Sequence, residues 1–165
     1  MAGFTLEPLA AAHAHEMFAV LSDPAIYEFE GEPPSSVDAL RHRYTLLETR
    51  RSRDGSQSWL NWVVRLDSGE LAGYVQATVG RSGAAYVAYE LASRHWRKGI
   101  GSAAVAGMID ELRTSHAVNV FVAVLKARNL RSLSLLQKLG FRPATGSESA
   151  VYPCEADERV MVNSE

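Results

Sequence analysis

The sequence predicts a single domain of mixed α/β structure, in which a meander of antiparallel strands precedes alternating helices and strands. Residues 59–92 hold three strand-like runs separated by short turns, which is the pattern of hairpins. Residues 96–125 continue as a glycine loop, a small-residue helix and a β-branched strand. The 165 residues, 47% of them hydrophobic, suffice for a sizeable core within the usual length of one domain. No repeat or linker interrupts the chain, so residues 1–165 are predicted to form one domain.

The first half begins as a strand followed by a helix. Residues 4–7 have strand character, and apolar side chains recur at helical spacing over residues 9–21. Residues 22–36 (SDPAIYEFEGEPPSS) combine Asp-Pro, Pro-Pro and glycine, so we expect an irregular connection. Its last serines, Ser35 or Ser36, can cap a helix that we expect to run on to the arginines at 50, 51 and 53.

Three strands are predicted next. The runs WLNWVVRL (59–66) and ELAGYVQATV (70–79) are joined by Asp-Ser-Gly, and AAYVAYELA (84–92) follows an Arg-Ser-Gly turn. The second half then predicts a helix over 103–112, a strand over 118–125 and a leucine-rich helix over 129–139. Short strands are expected in 141–146, 150–154 and 158–163, with a loop as the alternative for 150–154.

Charge and cysteine content restrict the partners and the setting. Seventeen basic and nineteen acidic residues give a formal net charge of −2, which leaves no basic field for nucleic acid or an anionic membrane. The single cysteine, Cys154, has no partner for an internal disulfide. We find neither a leader pattern nor a long apolar run, so we expect a reducing, cytoplasmic setting. We expect no bound metal.

The segment WRKGIG, from Trp96 to Gly101, predicts an anchored phosphate. Gly99 and Gly101 let the backbone turn tightly and bring its N–H groups close to an anion. The start of the following helix adds partial positive charge at the same place. Arg97 and Lys98 supply full charges beside it. The first interpretation is therefore a site for a phosphate-bearing cofactor.

The spacing of Gly99, Gly101 and Ala104 also fits the dinucleotide fingerprint G-x-G-x-x-A. That fold needs a parallel strand before the loop and a carboxylate at the end of the next strand. Here the preceding strands read as an antiparallel meander, and the next strand ends in Leu125 and Lys126. The dinucleotide interpretation is therefore disfavoured.

Two separated segments, ELASRHWRKGIGSAA and NLRSLSLLQKLGF, together resemble the GCN5-related N-acetyltransferase (GNAT) superfamily. Its loop pattern is Gln/Arg-x-x-Gly-x-Gly/Ala. A tryptophan in the first position, as at Trp96, is typical of the ribosomal-protein-alanine acetyltransferase (RimJ/RimL-type) branch. The resemblance implies a central, mostly antiparallel sheet of about seven strands with one splayed strand pair, flanked by about four helices. The matching residues of the second segment are Asn129, Ser132, Lys138, Gly140 and Phe141.

The resemblance also implies an activity: direct transfer of acetyl from acetyl-CoA to a primary amine in a ternary complex. The alternative is a non-catalytic acyl-CoA-binding or regulatory domain. Pyrophosphate would lie on the loop amides, pantetheine along the strand edge that ends near Ser93, and Asn129 would hydrogen-bond the cofactor's arm. The implied cofactor residues are Leu91, Ala92, Ser93, Arg97, Lys98, Gly99, Ile100, Gly101, Ser102 and Asn129.

Catalysis requires a base for the amine and an acid for the departing thiolate. Glu90 is the predicted base, because a carboxylate in an apolar strand has a raised pKa; His95 is the lesser alternative. The tyrosine and glutamate that the superfamily often uses are replaced by Leu136 and Val124. Ser132 is the predicted proton donor, with a water relay as its rival.

The acceptor is expected to meet the irregular connection, in which Tyr27, Glu28, Phe29 and Glu30, with Glu32, can form an acidic, aromatic mouth for a cationic amine. A solvated surface is the alternative. The expected acceptor is a small-molecule amine or a peptide N-terminus, and the sequence leaves both a monomer and a homodimer open.

Overall fold

A seven-stranded sheet forms the centre of the computed structural model, which describes residues 3–164. The strand order is β1-β2-β3-β4-β5-β7-β6. Neighbouring strands are antiparallel, except that β4 and β5 are parallel. The mixed, mostly antiparallel architecture is confirmed. The strands are β1 Phe4–Pro8, β2 Ser58–Leu66, β3 Leu71–Val79, β4 Ala84–Leu91, β5 Val120–Lys126, β6 Arg142–Pro143 and β7 Glu158–Ser164.

Five α-helices flank this sheet within residues 3–164, where about four were expected. Helices α3 and α4 cover one face, where Met108, Leu112 and Phe121 belong to the larger core cluster. Helices α1 and α2 cover the other face, where Met17 and Tyr44 pack in a second cluster. The helices are α1 Ala14–Leu21, α2 Val37–Leu47, α3 Ile100–His116, α4 Leu130–Lys138 and α5 Gly146–Val151.

The parallel strands β4 and β5 separate soon after they begin. Their pairing covers only Ala84–Tyr86 against Val120–Val122, and the strands diverge beyond it. Strand β4 remains paired along its other edge with β3, and β5 with β7. The predicted splayed pair is therefore present, and its opening lies in the middle of the sheet.

Side chains alternate along β4 between the two helical layers. Val87 and Leu91 pack in the core under α3 and α4. Tyr89 packs against the same core, whereas Glu90 stands opposite Tyr74, which packs in the cluster under α1 and α2. Consecutive residues of this strand therefore face different halves of the molecule.

Several predicted boundaries are corrected by local interactions. The helix expected over 103–112 extends from Ile100 to His116. Helix α2 ends at Leu47, so the arginine cluster is not helical: Arg50 has a φ of 62° and Arg51 forms a bridge with Ser58. The helix expected from residue 9 begins as a 3₁₀ turn, and its α-helical part starts at Ala14.

The strand predicted at residues 150–154 does not form: residues 150–151 end helix α5, and residues 152–154 have no regular structure. Thr145 and Glu148 form a capping box in which each side chain accepts from the other's backbone N–H, so helix α5 begins at Gly146. Arg142 pairs with Glu148 at 2.8 Å and fixes the helix against β6. Only Arg142–Pro143 of the strand expected in 141–146 forms.

Candidate active site

A cleft of about 610 Å³ opens where β4 and β5 separate, a volume suited to a small-molecule ligand. Its walls are β4 and β5, and it is closed by the glycine loop, by α4 and by the segment 26–30. The predicted site residues in its lining are Phe29, Glu30, Glu90, Leu91, Arg97, Gly99, Gly101, Ser102, Asn129 and Ser132.

The glycine loop presents unpaired N–H groups to this cleft. Gly99 precedes α3 with a φ of 79°, a left-handed conformation that glycine adopts without a Cβ penalty. The N–H groups of Ile100, Gly101 and Ser102, in the first turn of α3, have no acceptor within residues 3–164. Partial positive charge and free donors therefore coincide at the loop.

Gly101 also keeps the loop close to its neighbours. A Cβ at this position would lie 3.3 Å from side-chain carbons of both Leu91 and Leu135. Such a contact is tighter than most Cβ contacts, so the two leucine side chains would have to shift by a few tenths of an ångström. The second glycine of the motif therefore fits both close packing and close approach to an anion.

The start of α4 supplies polar side chains on the opposite wall. Asn129 caps the helix, because its Oδ1 accepts from the Ser132 N–H at 3.2 Å. The amide Nδ2 of Asn129 and the hydroxyl of Ser132 make no hydrogen bond within the described residues. Both groups remain available to a ligand.

Glu90 has the properties of a base near neutral pH. Burial raises the pKa of this carboxyl to about 7; the Arg131 charge opposes the shift, and the carboxylates of Glu30 and Asp23 add to it. Glu90 lines both the cleft and a second cavity on the α2 side of the sheet. A carboxyl that titrates near 7 therefore stands at the junction of two cavities.

Tyr89 is a candidate that the sequence analysis missed. Its hydroxyl donates to the carbonyl oxygen of Ser132 at 3.4 Å, and burial raises its pKa to about 12. Leu136, in place of the family's tyrosine, is buried in the core with 1% exposure. The available signal was the tyrosine beside Glu90, but its reach to α4 depends on the tertiary structure.

Arg131 connects the walls of the cleft. Its guanidinium carbon lies 3.5 Å from the centroid of the Trp96 ring and 6.0 Å from that of Phe29. The Glu28 carboxylate is 4.0 Å from Arg131, and Arg128 faces Phe29 at 5.5 Å. The segment that includes Glu28 and Phe29 is thereby held against α4 at the cleft.

Four predicted cofactor residues lie outside the lining of the cleft. The Ala92 N–H donates to the Ala72 carbonyl at 2.9 Å, and the Ser93 N–H donates to the Asp23 carboxylate at 2.7 Å. These internal bonds occupy the donors that were expected to meet pantetheine. The other two are Lys98, which is exposed beside the loop, and Ile100, whose side chain is buried in the core.

His95 lines the cleft and is 7% exposed. Its Nε2 lies 3.4 Å from Glu70, which also binds Arg94, but makes no hydrogen bond within residues 3–164. The carboxylate nearest this histidine is thus Glu70, immediately before β3, and not Glu90.

The second cavity has a volume of about 660 Å³ and lies between β2, β3, β4, helix α2 and the segment 27–35. It shares Glu30, Ala88, Tyr89 and Glu90 with the cleft. Tyr27 lines this cavity and not the cleft, while Glu28 lines neither. The predicted acceptor residues are therefore divided between the two cavities.

Neither a metal-binding group nor a membrane-spanning helix is present within residues 3–164. No group of three or more His, Cys, Asp or Glu side chains there is arranged to hold a metal ion. No helix there combines the length and apolar character needed to cross a membrane.

Solved acetyltransferase structures share the fold at low sequence identity. Ribosomal-protein-S5-alanine acetyltransferase from Vibrio fischeri is 18% identical with a TM-score of 0.78, covering 100% of this chain and 96% of that one. Microcin C7 self-immunity acetyltransferase MccE, in complex with acetyl-CoA and AMP, is 17% identical with a TM-score of 0.80, covering 98% and 92%. Spermidine N-acetyltransferase from Vibrio cholerae, in complex with CoA and spermine, is 18% identical with a TM-score of 0.76, covering 96% and 94%.

These identities support the fold and leave the RimJ/RimL branch a prediction. No protein of curated function matches the sequence. The sequence model of the acetyltransferase (GNAT) domain, however, matches residues 4–142, which include the splayed strands, the glycine loop and α4. The chain therefore belongs to the acetyltransferase (GNAT) domain family.

Proposed function

We propose that this protein is an N-acetyltransferase that moves acetyl from acetyl-CoA directly to a primary amine in a ternary complex. The observation that carries the proposal is the position of Glu90, whose pKa is raised to about 7 and which lines both cavities. One cavity has an anion-binding loop, and the other is free for an acceptor. A base at their junction suits a reaction between two bound substrates.

The chain's own residues fit a bound CoA. The free amides at Gly101 and Ser102, with Arg97 beside them, would hold the pyrophosphate, and Lys98 would add charge from outside the lining. The Asn129 amide would donate to the pantetheine arm. Leu91 would contribute the strand edge, while Ala92, Ser93 and Ile100 would support it from behind. When bound, acetyl-CoA supplies an acetyl thioester.

Proton transfer is assigned to the two neighbouring residues of β4. Glu90 faces the second cavity and would take a proton from the attacking ammonium, since its pKa near 7 permits ionisation at neutral pH. Tyr89, which reaches α4, would give a proton to the departing thiolate. Ser132, whose hydroxyl is free in the described part of the chain, is the second candidate donor.

The acceptor is proposed to be a small amine or a peptide N-terminus. Two of the similar enzymes are named for a ribosomal-protein alanine and for spermidine, and both of these acceptors carry amines. Tyr27 lines the second cavity, which would hold the acceptor, and Phe29 and Glu30 line the cleft where the two cavities meet. Glu28 would act only through its contact with Arg131. The low net charge and single cysteine favour a cytoplasmic protein without nucleic-acid or membrane partners.

The test is release of free thiol from acetyl-CoA with a panel of primary amines, compared with hydrolysis without amine. Transfer above hydrolysis, with acetylated amine detected by mass, supports the enzyme. Saturable CoA binding, seen as a ligand-dependent rise in Tm, without transfer to any amine would support the non-catalytic alternative. That alternative is based on Val124 and Leu136, which replace the glutamate and tyrosine that the superfamily often uses. Absence of CoA binding would contradict both.

A further inference from the structure

The floor of the second cavity is polar, although it belongs to the face of the sheet that α1 and α2 cover. Asn61 of β2 stands opposite Gln76 of β3, and in the next row Tyr74 of β3 stands opposite Glu90 of β4. All four line the cavity. The register therefore assembles hydrogen-bonding groups from three strands into one surface.

Two buried side chains of this cavity have no internal partner. Asn61 is 8% exposed and Tyr44 of α2 is 3% exposed, yet neither the side-chain amide nor the hydroxyl makes a hydrogen bond within residues 3–164. His95 Nε2 is the one fully occluded side-chain atom without a partner in that range, so the polar ends of Asn61 and Tyr44 are open to the cavity. These groups face the cavity with no internal partner, so they are available to hydrogen-bond a ligand there.

The charges of the cavity are separated. Arg43 of α2 lines it and makes no ion pair or hydrogen bond with any residue in 3–164. Its charge acts on the hydroxyls of Tyr27, Tyr44 and Tyr74, where it lowers pKa values that burial raises. Glu30 and Glu90 lie where the cavity meets the cleft, and Glu32 is at the wall. Arg43 therefore lies near the tyrosines of the cavity, and the carboxylates of Glu30 and Glu90 lie at the end that meets the cleft.

We propose that this cavity binds an acceptor of the amino-acid class, which carries a carboxylate a short distance from its amine. This inference rests on the proposed acetyl transfer. The amine lies at Glu90, Arg43 binds the carboxylate, and Asn61 and Tyr44 bind polar groups of the acceptor's side chain. An arginine fork suits a carboxylate, whereas it repels the second ammonium of a polyamine. The cavity is large enough for an amino acid or a comparably small derivative.

The test compares matched acceptors: each free L-amino acid against the amine that lacks its carboxylate. Thiol release should give the amino acid at least about a tenfold higher kcat/KM for one or more pairs, as expected for a charge-assisted hydrogen bond. Arg43→Gln should abolish that preference without weakening CoA binding. The control is Arg41→Gln on the same helix, whose exposed pairing with Asp38 lies outside the cavity lining.

Outcomes separate this inference from the proposed function. If the decarboxylated amines react as well as the amino acids, or if Arg43→Gln lowers both equally, the inference is overturned while transfer stands. If no amine is acetylated, calorimetric titration of the amino acids into the CoA complex decides. Saturable binding that Arg43→Gln weakens supports the cavity assignment, and no binding to the wild-type protein overturns it.

Discussion

The hydroxyl of Tyr89 donates a hydrogen bond to the carbonyl oxygen of Ser132 at 3.4 Å, and so joins β4 to the first turn of α4 across the cleft. The adjacent Glu90 carboxyl serves the opposite side of the strand. In the proposed mechanism, this dipeptide therefore supplies the acid on one side of the strand and the base on the other.

Replacement of Tyr89 tests its role as proton donor. We expect Tyr89→Phe to lower kcat by roughly 10²-fold, within the range of general-acid contributions, because the phenol O–H is lost while the ring remains. The measurement is steady-state thiol release at saturating substrates. Ser132→Ala should have a much smaller effect, since its backbone carbonyl is unchanged. The reverse ranking would assign the proton to Ser132.

The pH dependence of the reaction should report Glu90. Because its pKa is raised to about 7, kcat/KM should increase as the pH rises through about 7 and the carboxylate forms. Glu90→Gln should lower the rate at pH 8 by about 10²-fold or more and remove this step from the profile. A step near 7 that survives in Glu90→Gln would show that another group is titrating.

Arg131 should set the pH at which the Glu90 step in kcat/KM occurs. Its charge lowers the pKa of Glu90 against the effect of burial, so Arg131→Gln should move the midpoint of the kcat/KM profile to higher pH. Arg128→Gln is the matched control, because Arg128 faces Phe29 at 5.5 Å but is not among the charges that shift Glu90. Equal displacement of both midpoints would argue against a direct electrostatic effect.

Glu90 should also make stability depend on pH. The folded-state pKa of about 7 exceeds the ordinary value of 4.5, so the folded protein binds this proton more tightly. The resulting stabilisation is complete below pH 4.5 and is lost as the pH rises through 7, by an amount on the order of 3 kcal/mol. In denaturant titrations, the free energy of unfolding of Glu90→Gln should therefore increase relative to that of the wild type between pH 5 and pH 8. A constant difference would refute the assignment.

The glycine loop should be sensitive at Gly99. A Cβ in its left-handed conformation, with a φ of 79°, costs roughly 1 to 2 kcal/mol, so Gly99→Ala should lower both Tm and the affinity for CoA. Gly80→Ala is the control, since nothing lies within 4 Å of a Cβ built there and no left-handed φ is required. Unchanged CoA affinity in Gly99→Ala would mean that the loop does not bind the pyrophosphate.

Local patterns predicted the parts of the fold that depend on neighbours in sequence. The turns around Gly69 and Gly83, the β-branched run at 120–126 and the glycine loop carry their own signals. The strand predicted at 150–154 overlaps the end of helix α5, which a capping box begins at Gly146 in spite of the local β propensity.

The candidate site could likewise be predicted only where local sequence motifs mark its residues. Gly99, Gly101 and Asn129 stand in recognisable motifs, and Glu90 was a carboxylate in an apolar strand. The second cavity needed the register of β2, β3 and β4 to bring Asn61, Gln76 and Glu90 together. Such pairings join residues far apart in the sequence, and no local pattern encodes them.

The short pairing of β4 with β5 reverses the usual distribution of protection within a sheet. Central strands ordinarily keep their amides longest from exchange with solvent, but here the inner edges beyond Tyr86 and Val122 have no partner strand. Amides that face this opening should exchange their hydrogens early, while those of β2 and β3 remain protected. Occupancy of the cleft would then be readable at the centre of the sheet, residue by residue, without any assay of turnover.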